Sequence, residues 1–408
     1  MNCDATHRAT FRSARLRAQA RALCVAGMRA VRGRLMLSAL LAAGLYAPLS
    51  VQAHGPLDCP LRDAPYSLDS PVIDILLKPE AKAAVDRIEP ALLQKIPPMF
   101  ASTVPPSFGS IITLRTLAAF TRTPEDALQP VETALAALPV TDADRLARCA
   151  RYDDERPSLT MPRGRPRLLL FEKITGFRDA PSVEAADRAI RAMADRNGWA
   201  LVVTDKGGAI TPAVLRKIDA VIWNNVSGDV LTLTQRQALK RYVEQGGGFV
   251  AFHGSGGDPV YFWDWYADVL IGARFEGHPM APQFQDAQIV VEDRGAIGRD
   301  LAPGWLMKDE WYSFKASPRA GGVHVIATLD ESSYSPKGMG GQDLRMGDHP
   351  IAWTRCIGDG RSFYSAIGHR PEGYSEPHYV SLLEHAIIWA ADAGETRCRA
   401  GKEVTRRP

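Results

Sequence analysis

The spacing of apolar residues changes along the chain at residues 161–166, a stretch rich in proline, glycine and arginine. Before it, from His54 to Asp154, apolar residues recur at helical spacing and paired prolines interrupt them. After it, short apolar runs alternate with longer amphipathic segments, which is typical of a parallel sheet with helices on both faces. We therefore predict a helical accessory module and linker over residues 54–160, an α/β domain over 161–396 and a tail over 397–408.

In the α/β domain each short apolar run predicts a buried parallel strand. The first four predicted strands are residues 167–171, 199–204, 220–223 and 249–252. Helices are predicted between them, with starts at Ser182, Thr211 and Thr234, and right-handed crossovers would make the sheet doubly wound and mostly parallel. Beyond Asp258 we predict a strand-rich C-terminal elaboration, with strands at 287–291, 323–329, 351–355 and 362–367 and a closing helix at 377–391.

The first 53 residues have the three parts of a secretory signal peptide. Residues 1–34 carry eight arginines and one acid, an apolar run follows over 35–51, and Val51-Gln52-Ala53 is a small-residue cleavage pattern. A retained membrane anchor is the alternative, but the run is shorter than the roughly 20 apolar residues that a spanning helix needs. We expect cleavage near Ala53, a periplasmic or secreted location, and no membrane association afterwards.

The net charge changes sign when the signal peptide is removed. The chain has 49 basic and 46 acidic residues, and removal of eight arginines and one aspartate leaves 41 and 45, a net charge of −4. A mildly acidic surface lacks the basic footprint of nucleic-acid binding, so we expect no nucleic-acid partner. The helical module shows no catalytic cluster, and we expect it to have an accessory or dimerising role in a homo-oligomer.

Four cysteines remain after cleavage, and four cysteines allow three pairings. We predict the pairs Cys59–Cys149 and Cys356–Cys398, because each stays within one region of the chain and an exported protein keeps disulfides. Free buried thiols are the alternative. The spacing is unlike the C-x2-C of zinc sites, which argues against a thiolate metal site.

Candidate chemistry begins at residues 246–257, which read GGGFVAFHGSGG. A predicted helix runs into three glycines and an apolar strand, and His253 follows at the strand's end. In open α/β sheets, ligands bind in the crevice at the carboxyl ends of the strands. We therefore expect His253 to face a ligand, with a structural histidine in a glycine-rich turn as the alternative.

Polar and aromatic clusters follow at the ends of other apolar runs. They lie at residues 221–225, 263–266, 277–279, 309–312, 348–353 and 367–369. Their order resembles the ThuA-like (trehalose-utilisation) family, from about Arg167 to Ala391. The resemblance implies the flavodoxin-related fold of class I glutamine amidotransferases and an association with sugar catabolism.

Amidotransferases of that fold carry a nucleophilic cysteine on the tight turn after the strand that corresponds to residues 249–252. No cysteine of the mature chain lies near this turn, which excludes ammonia release by that mechanism. Ser255 is the other candidate nucleophile, but its surroundings lack the first glycine of a G-x-S-x-G elbow, and we interpret it as a turn residue.

General acid/base chemistry fits the remaining residues better. An imidazole both takes and gives a proton near neutral pH, and the Glu310 carboxyl, just before Trp311 and Tyr312, can be partly desolvated. We predict catalytic side chains that converge at the crevice, namely His253, Glu310, His349 and His369. We predict substrate-binding side chains at Arg178, Trp265, Tyr266, His278, Asp309 and Asp348.

Four of these binding predictions follow from the chemistry of the side chain. The rings of Trp265 and Tyr266 would cover the C–H faces of a pyranose. Arg178 would contact ligand oxygens, and Asp348 would orient His349. The partner is thus a small-molecule carbohydrate.

The predicted function is action on a sugar or keto-sugar in carbohydrate catabolism, and a non-catalytic carbohydrate-binding protein is the alternative. The family commonly reads Gly-Phe-Arg-His where this chain reads Gly176-Phe177-Arg178-Asp179, a departure that favours the alternative. We expect no cofactor. A divalent-metal site built from His253, His278, His349 and His369 stays open, although none of them shows the i, i+4 spacing that would strengthen it.

Overall fold

The computed structural model describes residues 57–94 and 96–391. The predicted signal peptide over residues 1–53, the tail over 397–408 and Cys398 of the second predicted disulfide lie outside these ranges. Within them, no helix combines the length and apolar character that a membrane crossing requires.

The N-terminal part of the described chain is helical and has a hydrophobic core of its own. Its α-helices are α1 (Val72–Leu77), α2 (Pro79–Ile88), α3 (Ala91–Gln94), α4 (Leu114–Thr121), α5 (Glu125–Ala136) and α6 (Asp142–Cys149). Thr141 and Asp144 form a reciprocal capping box at the start of α6. The predicted Cys59–Cys149 disulfide is confirmed, and its Cα atoms lie 5.5 Å apart.

The four strands predicted first form the parallel half of a nine-stranded sheet. They are β1 (Arg167–Phe171), β2 (Ala200–Thr204), β3 (Ala220–Asn224) and β4 (Gly248–Phe252), with the helices α7 (Ala180–Asn197), α8 (Pro212–Leu215) and α9 (Leu233–Glu244) between them. The order β2-β1-β3-β4 reverses direction at β1, which opens a crevice at the carboxyl ends of β1 and β3.

Two predicted helix starts differ from the structure by a few residues. The N-cap of α7 is Asp179 rather than Ser182, because the Asp179 carboxylate accepts the backbone N–H of Ser182. The N-cap of α9 is Thr232 rather than a start at Thr234, because Thr232 forms a capping box with Gln235. In both cases a second polar side chain three residues away decided the register.

Five strands of the strand-rich elaboration continue the same sheet. Its elements are β5 (Phe275–Gly277), β6 (Phe284–Val291), β7 (Gly304–Glu310), β8 (Ser313–Phe314), β9 (His324–Asp330), β10 (Pro350–Ile357), β11 (Gly360–Ser365) and α10 (Pro377–Ala391). Strand β11 joins parallel to β4, and β10, β9, β6 and β7 follow in antiparallel order, while β5 and β8 form a small separate ladder.

Candidate active site

His253 lies on a tight turn directly after β4. Its backbone φ is 40°, in the left-handed region that residues other than glycine rarely adopt. In the sheet, β4 lies beside β3, and Asn225 directly follows β3 with a backbone φ of 52°. The Asn225 side-chain oxygen accepts the backbone N–H of Gly254 at 3.1 Å. The Tyr364 hydroxyl donates to the His253 carbonyl at 2.9 Å. These contacts fix the turn and hold the imidazole at the carboxyl end of the sheet.

The His253 ring is buried and held at one nitrogen. Nδ1 lies 2.8 Å from the Ala366 carbonyl oxygen, which only accepts hydrogen bonds, so Nδ1 carries the proton of the neutral ring. Nε2 then presents a lone pair, 3.1 Å from His369 Nδ1 and 3.5 Å from Glu310 Oε2. The ring stacks on Tyr312 with centroids 4.2 Å apart. The nitrogen available for chemistry therefore faces two other polar side chains.

Glu310, the last residue of β7, completes this group with a buried carboxylate. Its Oε2 lies 3.0 Å from His369 Nδ1, its Oε1 lies 3.3 Å from His278 Nδ1, and the Gln283 amide donates to Oε1. Burial alone would raise the pKa of Glu310, but the neighbouring rings of His253 and His369 hold it well below its usual range. We call His253, Glu310 and His369 the triad.

His369 is held by its backbone as well as by its ring. The fully buried carboxylate of Asp309 accepts the backbone N–H groups of Gly368, His369 and Arg370 at 2.7, 3.1 and 3.0 Å. Burial lowers the pKa of His369, but the hydrogen bond to Glu310 outweighs it, so the net shift is upward. Asp309 was predicted to bind substrate; its contacts with backbone amides instead make it a positioning residue for His369.

His349 and Asp348 were predicted at the crevice, and the structure does not bring them to the triad. The His349 side chain is fully buried, with Nδ1 2.8 Å from Glu331 Oε1 and Nε2 2.8 Å from the Tyr312 carbonyl. Asp348 does not orient it, because its carboxylate binds Ser317 and Arg319. His349 therefore supports the backbone of Tyr312, the residue that stacks on His253.

The predicted aromatic ligand contacts also differ from the structure. Trp265 and Tyr266 begin a π-helix that ends at Ile271. Tyr266 is buried, its hydroxyl donates to the Ser255 carbonyl, and its ring packs 5.1 Å from Trp223. Trp265 packs on Trp263. Tyr266 therefore lies in the core beside the sheet, Trp265 is partly buried at the edge of that core, and the ring contacts of both are with other aromatic residues and not with the triad.

Another aromatic set borders the triad. The Phe177 ring lies 6.1 Å from the His369 ring, and the Phe284 ring lies 5.1 Å from it on an edge. Phe108 of the helical module packs 5.1 Å from Phe177. Arg178, the next residue, is exposed. The helical module thus contributes to the wall of the site through Phe108.

Ser255 and Gln283 complete the local picture. The Ser255 hydroxyl is buried, accepts the Val226 backbone N–H at 3.0 Å and donates to the Trp223 carbonyl at 3.3 Å, which fits a turn residue.

Gln283, which contacts Glu310, was not predicted. It precedes β6, whose Phe284 pairs with Glu310, and only that strand register would have revealed it.

The comparison with protein-family models gives one match. The family model ThuA, described as trehalose utilisation, matches residues 167–390. The chain belongs to the ThuA family. All triad residues lie within the matched range. No curated protein matches this ThuA chain.

Among solved structures, the ThuA chain is similar to two ThuA-like proteins. The protein from Bacteroides uniformis ATCC 8492 is 24% identical with a TM-score of 0.49, over 58% of this chain and 95% of that one. The protein from Parabacteroides merdae ATCC 43184 is 16% identical with a TM-score of 0.41, over 58% of this chain and 92% of that one.

Proposed function

We propose that this ThuA protein acts on a sugar or keto-sugar by proton transfer, with the triad as its acid/base centre and without a cysteine nucleophile. The observation that carries the proposal is the approach of three proton-handling atoms where the ends of β4, β7 and β11 meet. His253 Nε2 and Glu310 Oε2 lie 3.1 Å and 3.0 Å from His369 Nδ1. The family's association with trehalose utilisation supports a carbohydrate as the substrate.

The triad suits the removal of a proton from the carbon next to a sugar carbonyl. One group takes the C–H proton while a second donates a proton to the carbonyl oxygen, which gives an enediol and allows isomerisation on return of the proton. His278 is a suitable second group, since its ring contacts Glu310 and its side chain is 25% exposed. The Phe177 and Phe284 rings would border the sugar, and Arg178 would bind its oxygens.

A second candidate is a carbohydrate-binding protein without turnover. Asp179 replaces the histidine that the family commonly has at this position, and its carboxylate is used to cap α7. If that histidine takes part in the family's chemistry, this chain has lost it. The cleft around the triad would then bind a ligand that it does not convert.

We further propose that the protein is exported and that cleavage occurs near Ala53. A disulfide between Cys59 and Cys149 supports this, because disulfides persist in oxidising compartments. Expression of the full chain in an exporting bacterium, followed by mass spectrometry of the N-terminus, tests it. Recovery of an intact arginine-rich N-terminus would contradict export.

The test of function is incubation with mono- and disaccharides and their keto derivatives in D2O, followed by NMR. We expect deuterium to enter at a carbon next to the carbonyl with the native protein and not with Glu310→Gln. Thermal stabilisation by a sugar without deuterium uptake or a product would favour the binding protein. Absence of both stabilisation and exchange across the panel would contradict both functions.

A further inference from the structure

Three side-chain atoms of the triad, one from each residue, point at one another. His253 Nε2, His369 Nδ1 and a Glu310 oxygen lie within 4.8 Å of one another, and their side chains are 5%, 12% and 2% exposed. Burial of three such groups requires that their electron pairs be satisfied inside the protein.

A single proton cannot form a hydrogen bond with the lone pairs of all three groups. The proton of neutral His253 is held at Nδ1 by the Ala366 carbonyl, so Nε2 accepts only. The Glu310 carboxylate also accepts only. One proton on His369 Nδ1 therefore serves one of two neighbours, at 3.0 Å or at 3.1 Å, and leaves the other lone pair facing it without a donor. A cation held between the three groups would satisfy every lone pair.

The separations match those of ligands around one small metal ion. Ligands about 2.1 Å from a metal lie about 3.0 Å apart in octahedral and about 3.4 Å apart in tetrahedral geometry. The triad separations are 3.0, 3.1 and 3.5 Å. Ligand groups also need outer partners that fix their orientation. Ala366 supplies one for His253, Gln283 supplies one for Glu310, and Asp309 fixes the backbone of His369.

We propose that His253 Nε2, His369 Nδ1 and Glu310 Oε2 bind one divalent transition-metal ion, with Zn²⁺ as the probe. Two imidazoles and one carboxylate suit first-row transition metals, whereas Mg²⁺ and Ca²⁺ prefer oxygen ligands. His278 stays outside the ligand set, because its Nδ1 also lies 3.0 Å from the Pro279 carbonyl and so carries a proton.

Three protein ligands leave a coordination position for a substrate oxygen or for water. An ion there would polarise a sugar carbonyl, so the triad would act through the ion in place of direct proton transfer, and His278, outside the ligand set, would transfer the proton. The inference goes beyond the proposed function, because metal binding requires no sugar.

The test uses the exported, cleaved protein, freed of metal with a chelator and titrated with Zn²⁺ and with Mg²⁺ by calorimetry. We expect about one Zn²⁺ per chain, the usual stoichiometry of a zinc site with three protein ligands, and no binding of Mg²⁺. Glu310→Gln, which is isosteric, should lose more affinity than the roughly 10- to 100-fold caused by loss of an outer partner. His324→Ala, a change at an exposed histidine, is the matched control and should bind Zn²⁺ like the native protein.

Failure of native protein to bind Zn²⁺, or equal binding by Glu310→Gln and native protein, would overturn the inference. Circular dichroism of each variant separates loss of the site from loss of the fold, and His369→Gln gives a second ligand variant if Glu310→Gln does not fold. Sugar exchange that persists in metal-free protein, together with no Zn²⁺ binding, would overturn this inference and leave the proposed function standing. Zn²⁺ binding without sugar exchange would support this inference and contradict the proposed proton transfer on a sugar.

Discussion

Nε2 of His253 lies 3.5 Å from Oε2 of Glu310, although their strands β4 and β7 stand five positions apart in the sheet. At about 4.8 Å between neighbouring strands, a flat sheet would separate the two strands by about 24 Å. The antiparallel half must therefore curve so that the end of β7 approaches the carboxyl ends of β4 and β11. Curvature of the sheet, and not proximity in the chain, assembles the site.

Replacement of His253 by asparagine should lower turnover by about 10²- to 10⁴-fold, the usual contribution of a general acid or base. Asparagine tolerates the left-handed backbone at this turn better than alanine does, so folding should be kept. Deuterium exchange into the substrate and the melting temperature are the two measurements. A large drop in melting temperature with equal loss of activity would assign His253 to the core.

Replacement of Asp309 by asparagine should destabilise the protein by about 1–3 kcal/mol and displace His369. The carboxylate accepts three backbone N–H groups of residues 368–370, and the amide nitrogen of asparagine would face some of them as a second donor. Urea unfolding measures the free energy of unfolding. Asp348→Asn, which removes a partly exposed ion pair, is the control and should cost about 1 kcal/mol or less. Equal effects of the two changes would contradict the positioning role.

Removal of the Cys59–Cys149 disulfide by the double change to serine should cost up to about 4 kcal/mol of unfolding free energy. The bond closes a loop with a sequence separation of 90 residues, and long loops lose the most entropy from the unfolded chain. Chemical denaturation with and without a reductant measures the effect. A reductant should lower the stability of the native protein through this bond but cannot do so in the double variant. A double variant as stable as the native protein would contradict the prediction.

The contribution of Asp258 to the unfolding free energy should fall as pH rises from about 4 to about 7. Burial raises the pKa of Asp258 to about 7, although hydrogen bonds from Ser227 and Gly228 oppose the shift. The unfolded chain releases this proton near pH 3.9, so over that window the folded state binds more protons than the unfolded state does. The unfolding free energy contributed by Asp258 therefore falls by about 1.4 kcal/mol per pH unit at most. Denaturation at several pH values measures the slope. Asp258→Asn should change the slope toward higher stability with rising pH relative to the native protein, and an unchanged slope would contradict the assignment.

The sequence by itself determined the parallel half of the sheet and the position of His253. Short apolar runs separated by amphipathic helices allow few arrangements, and the end of a buried strand is a local property that needs no distant contact. Strand β7 was missed, although its burial alternates along Gly304–Glu310, because its inward positions include Asp309 as well as Trp305 and Met307. A polar residue on the buried face hides the two-residue period that marks a strand.

Only the tertiary structure decided which polar side chains meet. His349 and His369 have similar surroundings in the sequence, yet one supports Tyr312 from within the core and the other contacts Glu310. The difference depends on antiparallel pairing between strands far apart in the chain and on the curvature of the sheet. Neither is encoded in local spacing, because both result from the packing of the whole domain.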